Sequence, residues 1–250
     1  MKMTYLFALA FALAAPATTG GASEISVQGA VDHPGTLKLP ASARLADAIA
    51  AAVPRHDAYL LGTTFNRDAA KQLQRRLKAG LLHDLGVLER HESVSVQETA
   101  EQLATWLEQR PVTGRVVQSI DVHLMQVQPR NNPEVQDGDS VIFTTRPATV
   151  NVVGAVSAPC ALAHEARKGA LQYVTECAAR PTRDPDNIYV IQADGLITKL
   201  GVAAWNRADP QAVSPGGTIY VPVAAGALQG IDQDFNEEFA AFIATQPINP

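Results

Sequence analysis

Apolar and polar residues alternate over 25–31, the period of a half-buried strand, and a turn at His33-Pro34-Gly35 passes the chain to a returning strand over 36–40. Beyond Ser42, which reads as an N-cap, Leu45, Ile49 and Ala52/Val53 recur at helical spacing. A further strand is expected over 59–63. An Asp137-Gly138-Asp139 turn then leads to a closing strand over 141–145. Between them lies a long helical stretch. Its first helix has Asn66 as cap and Ala70, Leu73, Leu77 and Leu81 as its stripe. In its second, Ser95 and Glu98 form a capping box, Val96, Ala100, Leu103 and Leu107 make the stripe, and Trp106 lies close to that face.

The second half follows the same order. A strand covers 151–156, and Ala170, Val174 and Ala178 mark a helix face. Strands over 188–191 and 196–200 flank an Asp194-Gly195 hairpin turn. Residues 203–207 are expected to cross the sheet before a closing strand over 218–221. The likeness is literal at the start. Val27-Gln28-Gly29-Ala30-Val31 followed by Pro34-Gly35 returns as Val152-Val153-Gly154-Ala155-Val156 followed by Pro159-Cys160. It returns at the end as well, where Val135 to Asp139 corresponds to Val213 to Gly217. A repeated beginning and end imply two copies of one unit. Gly29 and Gly138 are 109 positions apart, while Gly154 and Gly216 are 62 apart. The excess of 47 is the length of segment 66–112, so a helical hairpin has been inserted in the first copy, where the second makes its Asp194-Gly195 turn.

The expected organisation is α+β. A first unit spans 23–148 with the hairpin insertion at 66–112, a second spans 149–225, and a C-terminal segment spans 226–250. In that last segment Ile231, Phe235, Phe239, Phe242 and Ile243 share one face of a helix over 231–245. Asp232, Asp234, Glu237 and Glu238 make the remainder acidic, and Pro247 ends it. About 15 residues rise only ~22 Å, too short for a bilayer core.

The first 22 residues read as a secretory signal peptide. Lys2 gives the positive start, an apolar run follows, and Gly20-Gly21-Ala22 is a small-residue site. Cleavage is placed after Ala22, with Ala15 and Ala17 as alternatives. An exported chain and a periplasmic location follow. Without Lys2 the net charge is −6, which argues against nucleic acid and anionic membrane as partners. In an oxidising compartment the two cysteines, Cys160 and Cys177, either pair or stand as separate buried thiols.

The V-x-V-x-G-A-V-x-x-P-G opening, the helix after it and the V-x-x-G-D closing turn resemble the β-grasp repeats of outer-membrane polysaccharide export proteins, which bind soluble ligands. The whole of 24–246 is similar to the GfcC-like capsule biosynthesis family. Leu61-Gly62 before the insertion, Pro111-Val112-Thr113-Gly114-Arg115 after it, Thr145-Arg146-Pro147 between the units and Ala204-Trp205-Asn206 in the second carry the match. Cys160 in place of the turn Gly35, and Gly216-Gly217 in place of Gly-Asp, depart from it. The resemblance implies two tandem β-grasp domains, a C-terminal amphipathic helix, and an accessory role in capsule or exopolysaccharide biosynthesis or export. The implied partners are polysaccharide or polysaccharide export proteins. A structural adaptor or ring subunit is the alternative, with a monomer favoured over a ring and no stable membrane insertion expected. The last helix either packs on its own second unit or is offered to a partner or to the membrane.

No catalytic constellation emerges. The six histidines show no H-x-x-x-H spacing, there is no C-x-x-C, G-x-S-x-G or Gly-rich phosphate loop, and no cofactor is implied. Asp184 and Asp186 sit in a Pro-rich loop, and Asp137 and Asp139 suit turns. A polysaccharide-modifying enzyme is therefore the weaker reading. The candidate ligand-binding residues are Arg115, Arg146, Trp205 and Tyr189. Arg115, at the root of the insertion, presents planar donors either to a sugar or to carbonyls inside the fold. Arg146 either pairs structurally or lines a cleft between the units. Trp205 and Tyr189 either stack on a pyranose ring or belong to the core.

Overall fold

The computed structural model describes residues 21–248, so the expected signal peptide falls almost wholly outside the described residues. The first half contains β1 (Ala22–Gly29), β2 (Gly35–Pro40), α1 (Leu45–Ala52), β3 (Thr64–Asn66), α2 (Asp68–Leu88), α3 (Val94–Glu108), β4 (Arg115–Val116), α4 (Val122–Val127) and β5 (Ser140–Phe143). The second contains β6 (Thr149–Gly154), β7 (Cys160–Ala163), α5 (Ala170–Glu176), β8 (Asn187–Ile191), β9 (Ile197–Gly201) and β10 (Thr218–Val221), and α6 (Phe235–Ala244) follows. The result is a mixed α+β fold with two five-stranded sheets, ordered β2-β1-β5-β3-β4 and β7-β6-β10-β8-β9.

The two sheets repeat one plan. An antiparallel hairpin opens each, its first strand pairs in parallel with the closing strand, and that strand pairs antiparallel with the next. The repeated Gly-Ala-Val step has a steric cause. Gly29 and Gly154 have φ of 89° and 112°. A Cβ at either would collide with the carbonyl of Phe143 or Val221 on the neighbouring parallel strand. In the second sheet Asp194-Gly195 joins β8 to β9, whereas in the first α2 and α3 stand between β3 and β4.

Period-2 alternation divides the second sheet cleanly. Val150, Val152, Ile188, Val190, Ile219 and Val221 face α5. Val153, Tyr189, Ile191 and Tyr220 face the other way, into a core shared with α2, α3 and α6. The hairpin contributes Leu81, Leu85, Leu88, Val96, Ala100, Leu103 and Leu107, and α6 contributes Phe235, Phe239 and Phe242, each fully buried. Phe239 stacks on Tyr220 at 5.0 Å between ring centroids and meets Trp106 and Phe235 at 5.8 Å. The insertion in the first half is thus the lid of the second. Polar ties follow it: Gln102 Nε2 donates to the carbonyls of Gly154 and Val156, and Arg180 pairs with Glu98 at 2.6 Å. The first sheet packs its apolar face, Ile25, Val27, Phe65, Val141 and Phe143, against α1.

Several local expectations change. Residues 60–62 form one 3-10 turn and the strand begins at Thr64, because Gly62 is wedged against Tyr59, Thr144 and Ile248. Ser42 lies in a turn, and α1 is capped from inside by Asp47, whose carboxylate accepts the Arg44 N–H at 2.8 Å. Asn66 stays in β3 and donates to Ser140, leaving Arg67 as N-cap of α2. Helix α3 starts at Val94 after Ser93, which frees Glu98 for Arg180. Leu73 is 71% exposed, since the early turns of α2 are held by Gln74, which bonds Thr245 and the Gly114 N–H, and the apolar contact begins further along. Ala178 is left-handed, with φ of 53°, and lies beyond α5. Residues 203–207 make an exposed turn instead of crossing the sheet.

Phe239→Ala is expected to lower unfolding stability by about 3–5 kcal/mol, measured by urea denaturation. A loss below about 1 kcal/mol would show that α6 is not part of the shared core.

Candidate functional site

Arg115 opens β4 at the point where the hairpin rejoins the first sheet, and its side chain runs into the interior, 6% exposed. Nη1 donates to the carbonyls of Gln246 at 2.8 Å and Ala244 at 3.3 Å, and Nη2 donates to that of Ala193 at 2.7 Å. The first two are orphan carbonyls at the end of α6. The third belongs to the turn between β8 and β9. Burial lowers the Arg115 pKa to about 10, opposed by nearby Asp194, so the group is still charged at neutral pH. Of the two roles open to Arg115, capping carbonyls inside the fold occupies its donors, and the rest of the side chain forms a wall.

That wall belongs to a cleft of about 380 Å³, at the small end of the range for ligand pockets. Trp106 and Arg110 from the end of α3 form one side. Thr149 and Asn151 of β6 and Thr218 of β10 form the floor, and Gln246 and Ile248 close the far end. The floor residues lie on the sheet face that the helices cover elsewhere, so the cleft is where the cover stops. Arg110 lies over the Trp106 ring at 4.8 Å. Two buried polar atoms of the lining, Arg110 Nε and Gln246 Oε1, have no hydrogen-bond partner in the protein. The lining holds two arginines and no Asp, Glu, Lys or His. A pocket so built is suited to binding a polar or anionic ligand by hydrogen bonds.

The other candidates lie apart from the cleft. Arg146 is exposed at the junction and sits over the Tyr59 ring at 5.5 Å. Tyr189 is 3% exposed against α6, and its hydroxyl donates to Glu237 at 2.6 Å, so no ring face is free for a sugar. Trp205 is the opposite case. It is 76% exposed, with its indole N–H donated to Asp186 at 3.1 Å. Asp184 and Asp186 are occupied by this loop, Asp184 accepting the N–H groups of Asp186 and Asn187. Asp137 accepts the Glu24 N–H, and Asp139 pairs with Arg67 at 2.7 Å. Cys160 and Cys177 are disulfide-bonded, Cα atoms 6.2 Å apart, and Cys160 borders the cleft. Among the described residues no cluster of three metal-ligating side chains occurs.

Sequence reasoning missed Trp106, Arg110, Thr149, Asn151, Thr218 and Gln246. The available signal was polarity in the wrong place. Thr149, Asn151 and Thr218 sit at alternate positions of central strands in a sheet covered on both faces.

The sequence matches the family described as "Capsule biosynthesis GfcC, N-terminal" over residues 23–147 and "Capsule biosynthesis GfcC C-terminal" over 160–247. It is 28% identical over 113 residues to "Uncharacterized protein YjbG" of Escherichia coli (strain K12). That match covers 45% of this chain and 46% of the relative, so it spans a little under half of each.

Arg115→Met keeps the buried stem and removes the donors. It is expected to cost about 3 kcal/mol in unfolding free energy, read by urea denaturation, and a change under about 0.5 kcal/mol would contradict the capping role. A second expectation concerns pH. At Glu237 burial works against the charge, but hydrogen bonds from Lys199 and Tyr189 outweigh it and hold the carboxyl below its ordinary 4.5. The stabilisation is complete above that value and is lost as pH falls through the depressed one. Glu237→Gln should flatten the stability profile below about pH 4.5, and an unchanged acid limb in thermal melts would refute it.

Proposed function

The chain belongs to the GfcC family of capsule biosynthesis proteins, and from that premise we propose that it is a non-enzymatic accessory protein of capsule or exopolysaccharide biosynthesis or export. In this reading it is delivered to the periplasm by a cleaved signal peptide. Its two sheets are β-grasp units like those of polysaccharide export proteins, and the cleft holds glycan or a segment of an export partner. The cleft carries the proposal, because it combines a polar floor, two arginines and unpartnered donor and acceptor atoms in a cavity of about 380 Å³.

Two further observations support parts of it. The disulfide between Cys160 and Cys177 suits an oxidising compartment. The apolar face of α6 is buried in the chain's own core, which favours a monomer over a ring assembled through an amphipathic C-terminal helix. Among the described residues no helix is long and apolar enough to cross a membrane.

Asn151→Trp fills the floor of the cleft and leaves the Arg115 hydrogen bonds and the shared-core residues themselves unsubstituted. In cells carrying it as the sole copy, surface polysaccharide is expected to fall in amount or length as far as in a clean deletion, with protein level unchanged. A normal polysaccharide profile in the deletion strain would end the proposal. A normal profile in the Asn151→Trp strain alone would move the function out of the cleft.

A further inference from the structure

We infer that the cleft selects acidic saccharides, and that Arg110 reads their carboxylate. The inference deepens, and rests on, the reading of the cleft as a glycan site. Arg110 lies two residues beyond α3, and its guanidinium covers one face of Trp106 at 4.8 Å. Trp106 is itself held by Phe239, with ring centroids 5.8 Å apart. The indole therefore positions the guanidinium and is not a free platform for a sugar ring. Among the described residues Arg110 takes part in no ion pair, and its side chain makes no hydrogen bond.

A cation in that state invites an anion, because a guanidinium with an enclosed, unpartnered Nε has hydrogen-bonding capacity that folding leaves unused. Arg115 does not compete, since three carbonyls take its donors and Asp194 lies nearby. No acidic side chain lines the cleft, in a chain whose net charge is −5. The adjoining groove shares Trp106, Arg110 and Pro159 with the cleft and carries two carboxylates, Glu98 and Glu101; Glu98 is neutralised by Arg180 at 2.6 Å, and among the described residues neither pairs with Arg110.

The rest of the lining suits hydroxyl groups. Thr149, Asn151 and Thr218 present side chains with no hydrogen bond inside the protein among the described residues, and Gln246 Oε1 is a buried acceptor without a donor. A planar carboxylate matches the guanidinium fork. A pyranose bearing one brings donors for Gln246 and acceptors for the threonines. The ligand class is thus a saccharide with a ring-borne carboxylate, as a uronate or a pyruvate ketal.

The test uses purified full-length mature protein and isothermal titration with paired oligosaccharides. The pairs carry glucuronate, galacturonate or a pyruvate ketal, and each is set against its carboxyl-reduced form. The wild type is expected to prefer an acidic member by about tenfold or more, the preference weakening with salt. Arg110→Gln should bring the two members of that pair to parity, and Arg110→Lys should restore part of the difference. Melting temperatures should fall by no more than the loss of the stacking contact on Trp106, about 1 kcal/mol, so both variants stay folded for the titration. Parity in the wild type, or a preference that survives Arg110→Gln, overturns the inference and leaves the glycan reading intact. Equal displacement by sodium sulfate at the same concentration also overturns it, because the cleft would then hold any small anion. Failure of every saccharide, acidic and reduced, to bind would reject the glycan reading together with the inference.

Discussion

The face of the second sheet turned away from α5 cannot stand in water. Val153, Tyr189, Ile191 and Tyr220 make it apolar, and what covers it comes from elsewhere in the chain: the α2–α3 hairpin from the first half and α6 from the end. The cover on the opposite face, α5, is local in sequence. This one apolar contact fixes most of the remaining architecture. It binds the two halves through more than a linker, and it withdraws the aromatic face of α6 from solvent. It also decides where the sheet is left bare, because the cleft opens where α3 and α6 both end.

Arg115 belongs to the same constraint, seen electrostatically. A buried cation needs compensation, and a helix C-terminus and a tight turn each offer unsatisfied carbonyls. Arg115 meets the end of α6 and Ala193 in one group, from the residue at which the hairpin rejoins its sheet. Three segments far apart in sequence are thereby fixed at a single point. Gln74 repeats the device beside it, joining α2 to Thr245 and to the Gly114 N–H. These polar joints lie directly behind the neighbouring wall of the cleft.

Much of the architecture was legible because its signals are local or repeated. The Gly-Ala-Val step recurs because two parallel strands approach too closely for a Cβ. The excess length between the copies located the inserted hairpin, and the closing strand over 218–221 was read to the residue. Errors fell where neighbours decide. Leu73 fits a helical stripe but lies beyond the contact, Ser42 has the chemistry of a cap but Asp47 supplies it, and Gly62 turns a strand-like run into a 3-10 turn. The site was the least legible part. Of four candidates only Arg115 reaches the cleft, while Tyr189 is sealed beneath α6 and Trp205, open between stacking on a sugar and a place in the core, stands in solvent away from it. The cleft is assembled from residues near 106–110, 149–161, 191–193, 216–218 and 243–248. No window of sequence contains it.

The two sheets share one plan, yet only one of them carries this cleft, and the reason is the asymmetry of the cover. In the first sheet the face turned away from α1 carries Ser26, Asn66 and Ser140, which are half-buried, and it is closed only toward its β3–β4 edge, where Thr64 and Arg115 are buried. In the second sheet the equivalent face is apolar toward β8 and polar at Thr149, Asn151 and Thr218. A helical lid is therefore needed over part of that face and not over the rest. The lid must also end somewhere, and a helix ends with carbonyls that favour cations. Arg110 just beyond α3 and Arg115 at the end of α6 are the cations found there. A partly covered sheet roofed by two helix C-termini thus places positive charge over a polar floor.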